Sequence, residues 1–548
     1  MKKTKSFVLI LLCFVLIFSM SFGLSSCGSD NGGNDNSEAG GGHMVIGTEK
    51  FIDTMNPLMS EWWICWEIFN LIYDPLVRFD ENLEPSPCLA ESWDLSEDQL
   101  TWTFHLADAM WQDGEPFKSG DVKWTYEIMI DNDALGYMYE DYLNSIDEIS
   151  CPDDKTLVIH TEEPKANMLY ITTPILPEHL WGDISVEELT EYKNEEPIGT
   201  GPYKFEKMTD NQIFLSGNED YFGQKPNLDN LTFQVYKSAD SMAQALKTGE
   251  IDASTLIAPE QKKNLVNEET LSVIAGEIPG FRSFGFNIYE GEDSKGNPLL
   301  KDKAIRHAIE FAMDKEKGLE MFFNNDGEVG TTLLNPNDKF HYEPTADELR
   351  SFDPEKAKEI LADAGYADTD GDGILESKDG EKLSFDLYCL ADKTNEVKFG
   401  QMIKSNCADV GIELTVSTMD DGALDDKLVD HDFDIFMWGW GGDIDPTDLL
   451  GVLTSDNIGG SNEPGWNNPE YDKLVQKQSV TMDVYERIKV VQDAQKVVYE
   501  DAPYIITVYD NRVQAYRSDR WTGMEPVPEG GLYVFNNTIV NYLNVKAK

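Results

Sequence analysis

A stretch of twelve residues, "DTDGDGILESKD", carries acidic side chains at the spacing that binds calcium in proteins. Positions 1, 3, 5, 7, 9 and 12 are Asp368, Asp370, Asp372, Ile374, Glu376 and Asp379, and position 6 is Gly373. Calcium takes oxygen ligands at these positions, including the position-7 carbonyl. An EF-hand would end on Glu and continue into a helix, whereas a strand-like "KLSFDLYCL" follows here. The stretch predicts an isolated calcium loop; the alternative is an Asp-Gly turn.

A second stretch, "FDIFMWGWGGDIDP" (residues 433–446), combines an apolar run with tryptophans, glycines and two acids. The run has the length of a strand, and we expect the glycines to end it. Gly441 would let a ligand approach the backbone, and Trp438 and Trp440 would offer flat apolar walls. Ligands of open α/β sheets bind beyond the carboxyl ends of strands. Asp443 is therefore a candidate ligand contact, whereas Asp445, before Pro446, is expected to be a turn or N-cap residue.

Enzyme signatures are missing from the sequence. It contains no G-x-S-x-G, H-E-x-x-H or G-x-x-x-x-G-K-[ST] motif, and its seven histidines are scattered. Carboxylates are numerous, so a secreted carboxylate-dependent hydrolase stays a remote alternative. We expect a protein without catalytic activity.

The elements that must position these residues alternate between strand and helix patterns. In "LTWTFHL" the residues Leu100, Trp102, Phe104 and Leu106 share one face, which predicts a half-buried strand. "DPEKAKEILADAGY" predicts a helix with Asp353 as N-cap, Pro354 at the first position and Gly365 after the last. "KAIRHAIEFAMD" repeats the helical spacing. The sequence therefore predicts mixed α/β lobes.

The N-terminus predicts export and lipid anchoring. Three lysines precede an apolar run from Phe7 to Phe18, which is too short to span a bilayer comfortably. The following "LSSC" resembles the lipobox of bacterial lipoproteins, which implies cleavage of residues 1–26 and lipidation of Cys27. The alternative is a plain secretory signal. The polar, Gly-rich residues after Cys27, up to His43, predict a flexible tether (27–43) on the outer face of the cell membrane.

Charge and cysteine content exclude other classes. The formal charge is −57, and removing the three signal lysines takes it to −60. Such a chain lacks the basic patch that nucleic acid needs and is not attracted to anionic lipid. The five remaining cysteines, Cys65, Cys88, Cys151, Cys389 and Cys407, have no C-x-x-C spacing and predict neither a disulfide scaffold nor a zinc site. One pair could bridge, and the sequence does not say which.

Six ordered motifs carry a resemblance to a known family. They are "LAESWDLSEDQLTWTFHLADAMWQDGEPFKSGDVKWTYEIM", "PIGTGPYKFEKM", "MAQALKTGEIDA", "KAIRHAIEFAMD", "GWGGDIDP" and "NNPEYDKLV". The chain thereby resembles family 5 of the extracellular solute-binding proteins, the peptide/nickel/oligopeptide receptors of ABC importers. The resemblance runs from about Val45 to the C-terminus.

The resemblance implies a two-lobed α/β fold of the large, three-subdomain periplasmic-binding-protein type. Lobe I would comprise residues 44–78, 165–282 and 505–548, with an inserted subdomain at 79–164, and lobe II residues 283–504. The hinge strands would be "SFGFNIYE" and "YIITVYDN". Two close crossings permit closure around a ligand.

The resemblance also implies a function and a site. A lipid-anchored monomer would capture a di- or oligopeptide and deliver it to the membrane permease subunits of an ABC importer. In peptide-binding members an acid matching Asp443 pairs with the α-ammonium of the ligand. Family likeness alone places Trp466 and Asn467 near the cleft. Trp62, Trp63 and Trp66 could line it or pack in the core. Nickel is disfavoured because no histidine falls in the stretches that hold these candidate contacts (433–446 and 464–472). An oligosaccharide receptor remains the alternative.

Overall fold

The computed structural model describes residues 42–548, except 50, 51, 53, 61, 62, 133, 136–139, 144 and 537. The predicted signal segment, Cys27, nearly all of the predicted tether and Trp62 therefore lie outside the described residues. None of the helices among the described residues has the length and apolar character needed to cross a membrane.

Strands and helices alternate along the described chain. The strands are β1 (His43–Thr48), β2 (Val77–Phe79), β3 (Pro85–Pro87), β4 (Ala90–Leu95), β5 (Thr101–Leu106), β6 (Ile146–Asp153), β7 (Thr156–Thr161), β8 (Tyr203–Met208), β9 (Gln212–Gly217), β10 (Asn230–Val235), β11 (Ala253–Ser254), β12 (Leu271–Glu277), β13 (Gly280–Phe286), β14 (Gly327–Val329), β15 (Ser384–Leu390), β16 (Glu413–Met419), β17 (Ile435–Gly441), β18 (Tyr504–Arg517), β19 (Trp521–Thr522) and β20 (Lys546–Ala547). The helices are α1 (Trp63–Ile72), α2 (Ser119–Ile130), α3 (Glu140–Leu143), α4 (Glu178–Trp181), α5 (Val186–Glu191), α6 (Ala239–Thr248), α7 (Pro259–Leu265), α8 (Lys303–Ala312), α9 (Lys315–Phe323), α10 (Pro354–Ala364), α11 (Thr394–Ala408), α12 (Asp421–Val429), α13 (Thr447–Gly451), α14 (Pro469–Val480), α15 (Val484–Asp501) and α16 (Val540–Asn544).

Local sequence patterns account for several of these elements. Helix α10 begins after Asp353, whose side chain accepts a hydrogen bond from the Lys356 backbone N–H at 3.0 Å. It ends at Gly365, whose φ of 94° lies in the left-handed region that glycine tolerates. Strand β5 buries Trp102, Phe104 and Leu106, whereas the predicted Leu100 lies just before the strand and is half-buried. The predicted α/β character and these two elements are confirmed.

One long strand connects the two halves of the main sheet. The strand order is β16-β15-β17-β13-β18-β11-β1-β10-β9-β8, and β12 and β14 also pair with β18. The first part of β18 pairs with β13, opposite Arg282 to Gly285, and its second part pairs with β12. The predicted hinge segment that begins at Ser283 is a strand only to Phe286. A smaller sheet, β4-β5-β7-β6, lies apart from the main one.

Buried apolar side chains form two large cores. The first draws its residues from 44–233, Ala253 and 516–545, and the second draws its residues from 281–509. A smaller core joins α6 to the end of β18. The lobe boundaries given above stay predictions. Within the described chain, all five cysteines outside the predicted signal and anchor are free thiols.

Candidate functional site

The acidic stretch follows a central strand of the sheet. Strand β17 pairs antiparallel with β13 and parallel with β15. It continues through Gly439 to Gly441, so the prediction that the glycines end the strand after Trp438 is wrong. The ladder with β13 accounts for this, because Gly441 pairs with Gly280 at a close approach where a Cβ on Gly280 would meet the Trp440 carbonyl oxygen at 2.2 Å. The chain then leaves the sheet at Gly442 and Asp443.

Asp443 has hydrogen-bond donors but no ion-pair partner among the described residues. Its Oδ1 accepts the Ile444 backbone N–H at 2.7 Å, and its Oδ2 accepts the Tyr142 hydroxyl at 2.9 Å. Burial raises the pKa of this carboxyl, and the nearby Asp445 raises it further. An ionised carboxylate without a counter-ion is costly in such surroundings. A cation supplied by a ligand would remove that cost.

Two cavities meet at Asp443. The larger has a volume of about 410 Å³ and is lined by Trp66, Glu67, Asn70, Pro75, Arg78, Phe79, Tyr142, Thr172, Gly441, Gly442, Asp443, Asp448, Phe535, Thr538 and Ile539. The second, of about 320 Å³, has Asp443 on its wall together with residues of the 82–84, 277–280, 334–339 and 528–531 segments. Volumes of a few hundred Å³ are typical of small-molecule sites.

The larger cavity is acidic. Glu67 on α1 is 6% exposed, and burial raises the pKa of its carboxyl to about 7. Arg78 is the one Lys or Arg side chain among the described lining residues, and its guanidinium is already occupied. It forms an ion pair with the fully buried Asp74 and donates to the Asn70 and Tyr73 carbonyls, each at 3.2 Å. Glu67, Asp443 and Asp448 also line the cavity, so acidic side chains outnumber basic ones on its described walls.

Three contacts join segments that belong to different cores. The Tyr142 hydroxyl reaches Asp443, and the Lys339 ammonium lies 3.0 Å from a Glu84 carboxylate oxygen. The Ala166 backbone N–H donates to the Ser479 carbonyl at 2.8 Å. The cavities therefore lie between segments that touch one another.

The predicted tryptophan walls are elsewhere. Trp438 and Trp440 lie within β17 and pack against the second core, and neither lines the cavities that the described residues enclose. Trp466 is buried in that core and donates its indole N–H to Asp501 Oδ2 at 3.3 Å. Asn467 is exposed and does not line these cavities, while the next residue, Asn468, caps α14. All four residues were expected to contact the ligand, but none of them lines the two described cavities at Asp443.

Other residues that line the larger cavity come from segments that are far apart in the sequence. Trp66 lines the larger cavity, whereas Trp63 begins α1 and its side chain is not described. Gly441 lines the cavity as expected. The sequence did not predict Glu67, Arg78, Tyr142, Phe535, Thr538 and Ile539. Tyr142 and Asp443, for example, are 301 residues apart, and no local motif joins them.

Asp445 serves the fold. It is 1% exposed and forms a bidentate ion pair with Arg487, with N···O distances of 2.7 and 2.8 Å. It also accepts a hydrogen bond from the Thr447 backbone N–H at 3.0 Å. Asp445 lies one residue before Pro446, which is the N-cap of α13. Its predicted structural role at the start of this helix agrees with these contacts.

The acidic loop between α10 and β15 brings four carboxylates together. One ligand oxygen each from Asp368, Asp370, Asp372 and Glu376 lies within 4.8 Å of the others. Asp379 is not in this group, contrary to the predicted loop spacing. The reason is that Glu376 forms bridges with Ala367 and Lys382, so that residues 377–381 form a separate turn. Ile374, whose carbonyl was the expected ligand at position 7, donates its backbone N–H to Asp372 at 2.9 Å.

A family description matches most of the chain. The family of bacterial extracellular solute-binding proteins, family 5 (middle part), matches residues 84–461. The oligopeptide-binding protein AppA of Bacillus subtilis is 28% identical over 548 residues, with 97% of this chain and 98% of that protein covered. Di/tripeptide-binding protein 1 of Pseudomonas aeruginosa is 27% identical, covering 79% and 82% of the two chains.

Solved structures share the fold. AppA of B. subtilis in complex with a nonapeptide superposes with a TM-score of 0.74 at 25% identity, covering 93% of this chain and 99% of that one. NikZ of Campylobacter jejuni in complex with Ni(L-His) gives a TM-score of 0.75 at 25% identity, with 92% and 99% covered. The two-lobed periplasmic-binding-protein fold expected from the sequence is confirmed by these likenesses.

Proposed function

We propose that this chain, which belongs to family 5 of the bacterial extracellular solute-binding proteins, captures peptides and delivers them to an ABC importer. The relatives named above are oligopeptide- and di/tripeptide-binding proteins, which supports a peptide ligand. The receptor would bind its cargo in the cavities at Asp443 and release it to the permease subunits. It would act as a monomer and carry out no reaction.

The observation that carries this proposal is the environment of Asp443. Its carboxylate lies where two cavities meet, accepts hydrogen bonds from Ile444 and Tyr142, and has no ion-pair partner among the described residues. The α-ammonium of a peptide would supply the missing positive charge through a charge-assisted hydrogen bond. The remaining chain of the peptide would extend into one or both cavities.

The composition of the cavity walls favours a peptide over a sugar. Aromatic side chains do not separate the two ligands: Trp438, Trp440 and Trp466 pack in or against the second core, but the larger cavity has Trp66, Phe79, Tyr142 and Phe535 on its wall. The Asp443 carboxylate, which has no ion-pair partner among the described residues, favours a ligand with a positive charge, and a neutral sugar offers none. No histidine lines the described walls of either cavity, so nothing on them matches the imidazole ligands that nickel commonly takes.

Ligand capture is expected to compact the protein. The contacts of Tyr142 with Asp443 and of Lys339 with Glu84 join the two cores, which fits a closed arrangement. Without ligand the exposed Lys339–Glu84 pair adds little to closure, because such ion pairs contribute about 0–1 kcal/mol. Small-angle scattering of the purified protein should therefore show a smaller radius of gyration after a peptide is added. The peptide set should contain a dipeptide, a tripeptide and a nonapeptide.

The scattering experiment also separates a receptor from an enzyme. Hydrolysis of peptides or glycosides by the purified protein, without compaction by any of them, would contradict the receptor proposal. Compaction by an oligosaccharide alone would favour the sugar-binding alternative.

Lipid anchoring is a separate part of the proposal. It is supported by the "LSSC" sequence, the apolar run before it and the Gly-rich tether after it. Cys27→Ser should release the protein from the membrane fraction of the producing cells, because the substitution removes the thiol that would carry the lipid anchor. Equal membrane retention of Cys27→Ser and the wild type would contradict this part alone.

A further inference from the structure

The acidic loop at residues 368–376 lies outside the proposed binding site. None of its residues lines the cavities at Asp443 that the described residues enclose. It connects the end of α10 to the start of β15, and its two sides are joined by hydrogen bonds between the Ala367 and Glu376 backbones. A role in the fold of this part of the chain, rather than in ligand capture, therefore fits its position.

The geometry of the four carboxylates fits one ion. Calcium holds its oxygen ligands at 2.3–2.6 Å, so two ligand atoms on opposite sides of one ion are about 5 Å apart at most. The converging oxygens of Asp368, Asp370, Asp372 and Glu376 lie within 4.8 Å of one another. The loop could enclose a single ion without a large movement of these groups.

Glu376 provides an independent reason to expect a cation. The residue is 4% exposed, and its Oε2 accepts hydrogen bonds from Thr369 N–H and Oγ1–H at 2.7 and 2.9 Å. Its Oε1 is buried and accepts no hydrogen bond from any described residue. One of the two Glu376 carboxylate oxygens belongs to the converging group. A buried carboxylate oxygen without a donor is costly, and a metal ion would satisfy it.

The Lys382 ammonium occupies part of the space in which that cation would bind. Its ammonium lies 2.9 Å from Asp370 Oδ2, forms a second ion pair with Asp372, and is 3.9 Å from Glu376 Oε1. One positive charge does not balance four carboxylates. The lysine side chain is 37% exposed and extends from the surface, so it can turn outward.

We propose that the loop binds one Ca²⁺ ion through the carboxylates of Asp368, Asp370, Asp372 and Glu376, and that the ion displaces the Lys382 ammonium. Asp379 takes no part, although its sequence position is that of the last ligand in a calcium loop. The ion stabilises the connection between α10 and β15. Its affinity is that of extracellular modules, with a Kd on the order of 10⁻⁴–10⁻³ M.

Calorimetric titration of Ca²⁺ into the chelator-stripped full chain tests this proposal. One site is expected, together with a higher melting temperature at saturating calcium, because an ion that binds only the folded state stabilises it. Asp370→Asn and Glu376→Gln should each weaken binding by about tenfold or more, since ligand charge sets calcium affinity. Asp379→Asn is the matched control and should bind like the wild type.

Lys382→Met provides a second test, in which calcium affinity is expected to rise. Removing the competing ammonium should tighten calcium binding and leave the number of sites at one. A wild-type protein that binds no calcium at millimolar concentrations would overturn the proposal. So would an Asp379→Asn variant that loses as much affinity as Glu376→Gln, or a Lys382→Met variant that binds calcium more weakly.

Discussion

Asp443→Asn is expected to weaken peptide binding by about 30-fold to several thousand-fold. The substitution keeps the shape of the side chain but removes its charge. Loss of one partner of a desolvated charge pair leaves the other buried alone, which costs about 2–5 kcal/mol, and each 1.4 kcal/mol is about a tenfold change in Kd. Peptide titration by calorimetry measures the effect.

Stability should behave differently from binding in this variant. Burial already raises the pKa of Asp443, so its ionised form contributes no stability in the absence of a ligand. The melting temperature of Asp443→Asn should therefore equal or slightly exceed that of the wild type. Tyr142→Phe is a useful companion, since it removes the hydroxyl that occupies Asp443 and leaves the carboxylate for the ligand. If Asp443→Asn binds peptide as tightly as the wild type, the acid is not the ammonium contact.

Asp445→Asn should produce the opposite pattern. Asp445 and Arg487 are both buried and form a bidentate ion pair, and Arg487 also donates to Gln478 Oε1 at 2.8 Å. Breaking a buried pair by removing one charge costs about 3–5 kcal/mol of unfolding free energy, because the guanidinium is left uncompensated. Denaturant unfolding measures the loss, and peptide affinity of the folded variant should change little.

A double substitution separates the pair from simple misfolding. Asp445→Leu combined with Arg487→Met replaces both charges by apolar groups, which is often near neutral for buried pairs. The double variant should therefore recover part of the stability lost in Asp445→Asn. If Asp445→Asn has the same unfolding free energy as the wild type, the ion pair does not support this part of the fold.

Local patterns were sufficient to predict elements, and they failed where distant segments meet. Asp353 and Gly365 define the ends of α10, and the alternation around Trp102 defines β5, because both signals depend on neighbours in the sequence. The length of β17 depends instead on its ladder with β13, which carries the strand through Gly439 and Gly441. Propensity alone predicts a break at those glycines.

The candidate site was also predictable only in part from the sequence. Asp443 was singled out from the sequence and lies on the walls of two cavities, while its contact with a ligand stays a prediction. Tyr142, Glu67 and Phe535 were not predicted, because only the folded chain brings them to the cavity. Family likeness placed Trp466 near the cleft, yet this residue lies in the core, where a large aromatic side chain buries much apolar surface.

In the proposed complex, Asp443 holds the peptide by its α-ammonium. Calorimetric titration of the wild-type protein with a short peptide and with its N-acetylated form tests it most directly, because acetylation removes the positive charge and little else. We expect the free peptide to bind at least about 30-fold more tightly, which corresponds to the loss of one desolvated charge pair, and Asp443→Asn to remove most of that difference. Equal affinity for the two forms, or heat only from oligosaccharides, would contradict the account.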